Sequence, residues 1–223
     1  PLNNVFVDKE TNVNIAAHRL ASRLEELINV RRVRSQMVGG NISTPDDAEV
    51  AGFLEMVRDH ADTFHDLIHI GNQGRSLGNI SFRCERGFPG ARSTDDPNLI
   101  FISKRNVDKR YIGPDDMVAV RLDSDDPVKY YADGDKKPSV DGPIQVRLFK
   151  EYPNINYILH SHVYIDGAPF TDNIFPCGAI EELPEITRKF GDTSTDTILI
   201  NLRGHGAVAM VPDWRDLTSL NYV

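Results

Sequence analysis

From about residue 71 onward the chain is a succession of short β-type runs separated by turns, and that pattern limits the fold more than any other feature. The runs at 80–83, 99–103, 117–122, 157–160, 197–202 and 207–211 are rich in branched and aromatic residues and are bounded by Gly, Pro, Asn and Asp. Only two helical stretches are expected among them, at 143–151 and 184–190. Strands that outnumber helices and often follow one another pair mostly antiparallel, because a parallel pair needs a long crossover. The expected fold is α/β: a layered α/β/α domain with a mainly antiparallel central sheet. The glycine fingerprint of dinucleotide-binding folds is absent.

The first 70 residues have a different texture. Ile15, Leu20, Leu24, Leu27 and Ile28 recur near helical period within 13–34, and Gly39-Gly40 then breaks the chain. Ser43-Thr44-Pro45-Asp46-Asp47 reads as a helix start, with Thr44 as N-cap and Pro45 in the first helical position. The helix that follows runs to about residue 70, with Phe53, Leu54, Val57, Ala61, Phe64, Leu67 and Ile68 on one face. Residues 1–48 are taken as an N-terminal helical extension and 49–223 as the main domain. The tetrapeptide Gly-Asn-Ile-Ser occurs at 40–43 and again at 78–81, but only the second copy leads into a strand, so the two are not equivalent.

A chain of 223 residues with 40% hydrophobic content is long enough to bury a core without disulfides. The formal charge of −8 argues against a nucleic-acid-binding surface but leaves room for a small basic pocket. No apolar run approaches the roughly 18 residues of a membrane span. The start of the chain has no secretory pattern, and Cys84 and Cys177 lie far apart outside any CxxC motif. A reduced, cytoplasmic protein is the expectation.

The strongest chemical signal is His160-Ser161-His162. On a strand, residues i and i+2 share a face roughly 6.5 Å apart, so both imidazoles can converge on one ion. His205, between Gly204 and Gly206 at the turn between two strands, is the candidate third ligand. Three histidines with an open fourth position form a catalytic metal site, whereas a closed structural site usually needs cysteines. Taken alone, HxH on a strand reads equally well as a core or solvated pair. His65 and His69 share a helix face but lack a third ligand, and they read as helix-surface residues, as do His18 and His60.

Asp141 stands just before a helix, where it is either an N-cap or a carboxylate held near the metal as a base. Two clusters are candidate anion sites. One is the turn at 78–81 containing Asn79, and the other is the donor-rich strand end Ser103-Lys104-Arg105-Asn106.

Six segments in order resemble the class II aldolase/adducin family: GNISFR at 78–83, the run from Phe101 to Val120, KKPSVD at 136–141, ILHSH at 158–162, FPC at 175–177 and LRGHGAV at 202–208. The resemblance spans about residues 55–212 and points to L-fuculose-1-phosphate aldolase and L-ribulose-5-phosphate 4-epimerase as relatives. It implies the layered fold with a mainly antiparallel sheet, and homo-oligomers, often tetramers, with sites at subunit interfaces. It makes His160, His162 and His205 the ligands of Zn²⁺ or another divalent ion. Asn79 and Ser139 match substrate-phosphate contacts, and Asp141 matches a position that is Glu in the aldolases and Asp in the epimerase. The family's Thr/Ser-Gly phosphate turn is replaced here by Arg105-Asn106, and a second Ser by Val140, so a phosphate or a carboxylate substrate is compatible. Family members continue beyond the segment into helices carrying a catalytic tyrosine, for which Tyr222 is the candidate stand-in. The implied activity is a metal-dependent aldolase-type lyase that cleaves an anionic hydroxy-carbonyl sugar through an enediolate. The alternatives are a 4-epimerase using the same bond cleavage, and a non-catalytic adducin-like binding protein.

Overall fold

The computed structural model describes residues 10–67, 78–83, 96, 98–190 and 197–223, except for the side chains of Glu26 and Leu27. Expectations on Ile68, His69 and Cys84 lie outside these residues. Eight strands form one sheet in the order β1-β5-β4-β3-β2-β6-β8-β7. The strands are β1 (Ser35–Gly39), β2 (Asn79–Arg83), β3 (Leu99–Ser103), β4 (Met117–Arg121), β5 (Val128–Tyr131), β6 (Tyr157–Ser161), β7 (Ile198–Leu202) and β8 (Gly206–Val211). Every pairing is antiparallel except β1 with β5. Helices α1 (Val13–Asn29), α2 (Ala48–Leu67), α3 (Gly142–Glu151) and α4 (Glu182–Phe190) complete the described elements. The fold is thus the expected layered α/β arrangement.

The alternation of side chains along each strand sorts the core into two halves. Ile80, Phe82, Phe101, Tyr157, Leu159 and Ala209 pack with Val50, Phe53, Leu54 and Val57 of α2. Ile100, Ile102, Ile158, Ile200 and Met210 face the other way, onto Ile144, Val146 and Phe149 of α3 and Ile186 of α4. Each central strand is buried on both faces, which explains why these runs are almost wholly apolar.

Four local expectations are corrected. Thr44 is not the cap of α2: its hydroxyl donates to Pro114 O, and Asp47 instead accepts from Val50 N at 2.9 Å. The first helix ends at Asn29 rather than near 34. Its apolar residues do not pack within the chain, since Val13, Ile15, Leu20, Leu24 and Ile28 are all exposed. Two strands at one side of the sheet, the edge strand β1 and its neighbour β5, went unread because SQMVG and VKYY are short and carry little apolar pattern. β1 lies within the segment set apart as the extension and adds the sheet's outermost strand. The second Gly-Asn-Ile-Ser copy opens β2, whereas Asn41 of the first is tied to Asp133 and Lys136 in a loop.

Candidate metal centre

The start of β2, the ends of β3, β6 and β7, and the start of β8 all fall at one end of the sheet, a consequence of antiparallel order. His160 pairs across with Asn79 on one side and Val208 on the other. Two glycines let the neighbouring chains close in there. A Cβ on Gly78, at φ +78°, would sit 2.3 Å from His160 O, and one on Gly206, at φ +148°, 2.0 Å from Ser161 O.

His160, His162 and His205 meet at this end, each offering a ligand atom within 4.8 Å of the others. Their ring centroids are 4.7–5.0 Å apart. The buried His160 ring donates from Nδ1 to Ala207 O at 2.9 Å, so its Nε2 is the available lone pair. That Nε2 is buried without a hydrogen-bond partner, which costs free energy unless something fills the place. His205 is oriented the same way, with Nδ1 2.9 Å from Glu182 Oε1. Three converging imidazoles, two of them oriented through Nδ1, and an orphaned nitrogen fit a divalent ion.

Burial, reinforced by the neighbouring imidazoles, brings the His160 pKa down to about 4 and holds His162 well below its ordinary value. Burial also opposes protonation of His205, but the Glu182 carboxylate and the Cys177 contact outweigh it and raise that group well above the usual histidine range. Glu182, fully buried, is pushed up by burial and drawn partly back by His205.

Asp141 occupies the N-cap position of α3, yet its side chain makes no capping bond. Its carboxylate turns to the histidines instead: Oδ2 lies 3.9 Å from His160 Nε2 and accepts from Asn79 Nδ2 at 2.9 Å. Oδ1 is buried with no partner. Ser139 is buried beside it, its Oγ 3.5 Å from Oδ2.

The remaining predicted anion contacts are engaged within the protein. Both ends of the Asn79 amide are used, one on Asp141 and one by Gln145 Nε2. Ser103 Oγ accepts from Ile80 N. Lys104 pairs with Asp116 at 2.7 Å, and Arg105 Nε donates to Pro138 O. Asn106 is exposed and sits in the left-handed region at φ 60°. Tyr222 is displaced from any catalytic place: it packs edge-on against His60 and Phe64, and its hydroxyl is buried.

Sequence reasoning missed three residues. Glu182 reaches His205 from the start of α4. Cys177, noted in the sequence only as lying outside any CxxC motif and within the FPC segment, places Sγ 3.1 Å from His205 Nε2. Lys109, in the 3₁₀ turn Lys109–Tyr111, is buried, which is unusual for a lysine. Nothing in the local sequence distinguishes them, although Cys177 and Lys109 both fall inside segments that carry the resemblance.

Among known families, the model of the Class II Aldolase and Adducin N-terminal domain matches residues 58–165. Over that stretch, just under half of its length, the chain is similar to the class II aldolase and adducin family. The matched stretch includes Asp141, His160 and His162 but stops short of His205. Solved structures similar to this chain include a sugar-phosphate aldolase from Thermotoga maritima, at 18% identity and TM-score 0.47, covering 71% of this chain and 85% of that one. The L-fuculose-1-phosphate aldolase from Thermus thermophilus is 16% identical with TM-score 0.44, covering 73% and 82%. The N-terminal class II aldolase domain of a conserved protein from Thermoplasma acidophilum is 14% identical with TM-score 0.49, covering 78% and 88%.

Proposed function

We propose that the chain is a metal-dependent, aldolase-type lyase acting on an anionic hydroxy-carbonyl compound, with Zn²⁺ as the preferred ion. The observation that carries this reading is the convergence of three imidazoles with a carboxylate that is not engaged in capping a helix. His160, His162 and His205 would hold the ion. A divalent ion there supplies Lewis acidity to a carbonyl and hydroxyl pair, stabilising the enediolate charge left when the adjacent carbon–carbon bond breaks.

The protein's own groups do the rest. Asn79 fixes the Asp141 carboxylate through Oδ2, leaving Oδ1 free to accept and return a proton. Gln145 in turn holds Asn79, so the proton-transfer group sits on a chain of buried partners rather than on a mobile side chain. Glu182 keeps the His205 ring in place, and the apolar residues Ile144, Ile158 and Val208 line the cavity beside His160 and His205.

Elemental analysis of protein purified without added metal or chelator, followed by a cleavage assay on ketose phosphates and hydroxy-keto acids, tests the reading. Roughly one ion per chain and retro-aldol products are expected. Inversion of a substrate stereocentre without net cleavage would make it an epimerase instead. A chain that holds no metal, or keeps full occupancy in a His160→Ala/His162→Ala double variant, would overturn the centre itself.

A further inference from the structure

We propose that Cys177 is a fourth ligand of the ion held by His160, His162 and His205, so that the occupied centre carries one sulfur beside its three nitrogens. The inference rests on the metal-centre reading above and deepens it by adding a ligand from the loop before α4.

His205 has one nitrogen to give. Its Nδ1 lies 2.9 Å from Glu182 Oε1, so an ion must take Nε2. Cys177 Sγ stands 3.1 Å from that same Nε2 in hydrogen-bond geometry, on the side from which an ion would approach. Two ligands on one tetrahedral zinc, with bonds of about 2.0 Å to nitrogen and 2.3 Å to sulfur, stand about 3.5 Å apart. The observed separation is within a few tenths of an ångström of that. A second observation comes from another member of the group. His160 is only 4% exposed, its Nε2 has no hydrogen-bond partner, and its ligand atom lies within 4.8 Å of those of His162 and His205. Among the described residues, His205 is the one hydrogen-bond partner of the half-buried Cys177 thiol. A buried nitrogen left unpaired is costly, and an ion shared with the adjoining thiol would offset that cost.

The main chain around Cys177 is tied down from outside its own loop. Arg32 Nε donates to Cys177 O at 3.3 Å, and Arg23 of α1 donates to Ile174 O at 2.7 Å. Ile180 N donates to Arg31 O at 3.0 Å, while Arg31 N donates to Glu181 Oε1 at the same distance. Gly178, at φ +76°, lets the loop close on the segment leading to Asp141: a Cβ there would sit 3.2 Å from Val140 O. Helix α1 and the residues after it thus hold the sulfur where it meets His205. A thiolate is a soft ligand that favours Zn²⁺ over Mg²⁺ or Mn²⁺. Zinc can also expand from four to five ligands, so a sulfur on the ion leaves a place for an oxygen of the substrate.

The test uses the full chain loaded with one equivalent of Co²⁺ or Zn²⁺. The Co²⁺ form of wild type should show the near-ultraviolet thiolate-to-metal charge-transfer band, and C177S should lose it while still binding the ion through its histidines. C84S should keep the band, which assigns the sulfur to Cys177. Zn²⁺ affinity, measured by chelator competition, should fall in C177S by at least the roughly tenfold that loss of an outer partner brings. The preference for Zn²⁺ over Mn²⁺ should narrow in the same variant. X-ray absorption on Zn²⁺-loaded wild type needs no variant and should place one sulfur at about 2.3 Å from the ion. An ion surrounded by nitrogen and oxygen alone, or a charge-transfer band that survives in C177S, would overturn the proposal and leave the three-histidine centre standing. Failure of wild type to bind either ion would instead remove the metal centre and this inference with it.

Discussion

The His205 ring lies between two side chains of different character, with Glu182 on Nδ1 and Cys177 on Nε2. The carboxylate aligns the ring and favours its charged form, and outer partners of this kind usually change metal affinity by about 10–100-fold when removed. Glu182→Gln keeps the shape but loses the charge, so Zn²⁺ affinity should fall by about tenfold or more, measured by competition with a chromophoric chelator. Asp141 gives the sharper case. Because its side chain makes no cap bond, Asp141→Asn should leave stability and metal content nearly unchanged while turnover falls by about 10²–10⁴, the range for a general acid or base. Unfolding curves and steady-state kinetics on the same preparation decide it. A folded, metal-loaded and fully active Asp141→Asn protein would end the assignment.

At the scale of elements, the site depends on how closely β2 and β8 approach the end of β6. Gly206 is the tighter of the two contacts, since any Cβ there collides with backbone rather than with a movable side chain. Its backbone angle adds to the strain for an L-residue. Gly206→Ala should therefore destabilise the fold by more than the ~1 kcal/mol typical of a substitution and lower metal occupancy at the same time. Thermal unfolding with parallel metal analysis checks both. A mutant with lowered melting temperature but full occupancy would show that the two functions of this turn are separable. Helix α1 presents a different situation. Its apolar residues are exposed along a stripe from Val13 to Ile28, an arrangement that in soluble proteins marks a contact surface. Association into a homo-oligomer, with a tetramer as the expected form, would cover it. Light scattering at micromolar concentration should give a mass of several chains, reduced by Leu20→Glu/Leu24→Glu with metal content unaffected. A strictly monomeric wild type would refute the expectation.

For the whole molecule, metal binding, protonation and stability are linked. At neutral pH His160 and His162 are uncharged and ready to act as ligands, whereas His205 carries a proton held by Glu182. Binding an ion at Nε2 displaces the proton on that nitrogen while Nδ1–H stays on Glu182, so about one proton should be released per metal at pH 7. The sign follows directly. Protons compete with the ion for the imidazole nitrogens, and for His205 they already do so at neutral pH, so metal affinity and the stabilisation it brings should both decline on acidification. Calorimetry in buffers of different ionisation enthalpy measures the proton count. Chelator should lower the melting temperature of wild type near neutral pH, by an amount that shrinks toward about pH 5, and should not affect a His160→Ala/His162→Ala variant.

What the sequence determined by itself is the part of the protein whose logic is local. The short, almost wholly apolar runs specified six strands, and the i,i+2 spacing of His160 and His162 put two imidazoles on one side at the end of a strand. The glycines around His205 marked the turn that presents the third. β1 and β5, at one side of the sheet, escaped because both are short and only partly buried and so carry less apolar pattern. The tertiary structure alone decided everything that depends on distant segments meeting at the sheet end. It turned Asp141 away from its helix toward Asn79, 62 residues back in the chain. It brought Glu182 and Cys177 to His205 across 23 and 28 residues. It buried Lys109 and sent Tyr222 into the packing against α2. The physical reason is the same throughout: periodicity records which face of an element is buried, but contacts between elements are fixed by sheet order and close packing, which no single segment encodes.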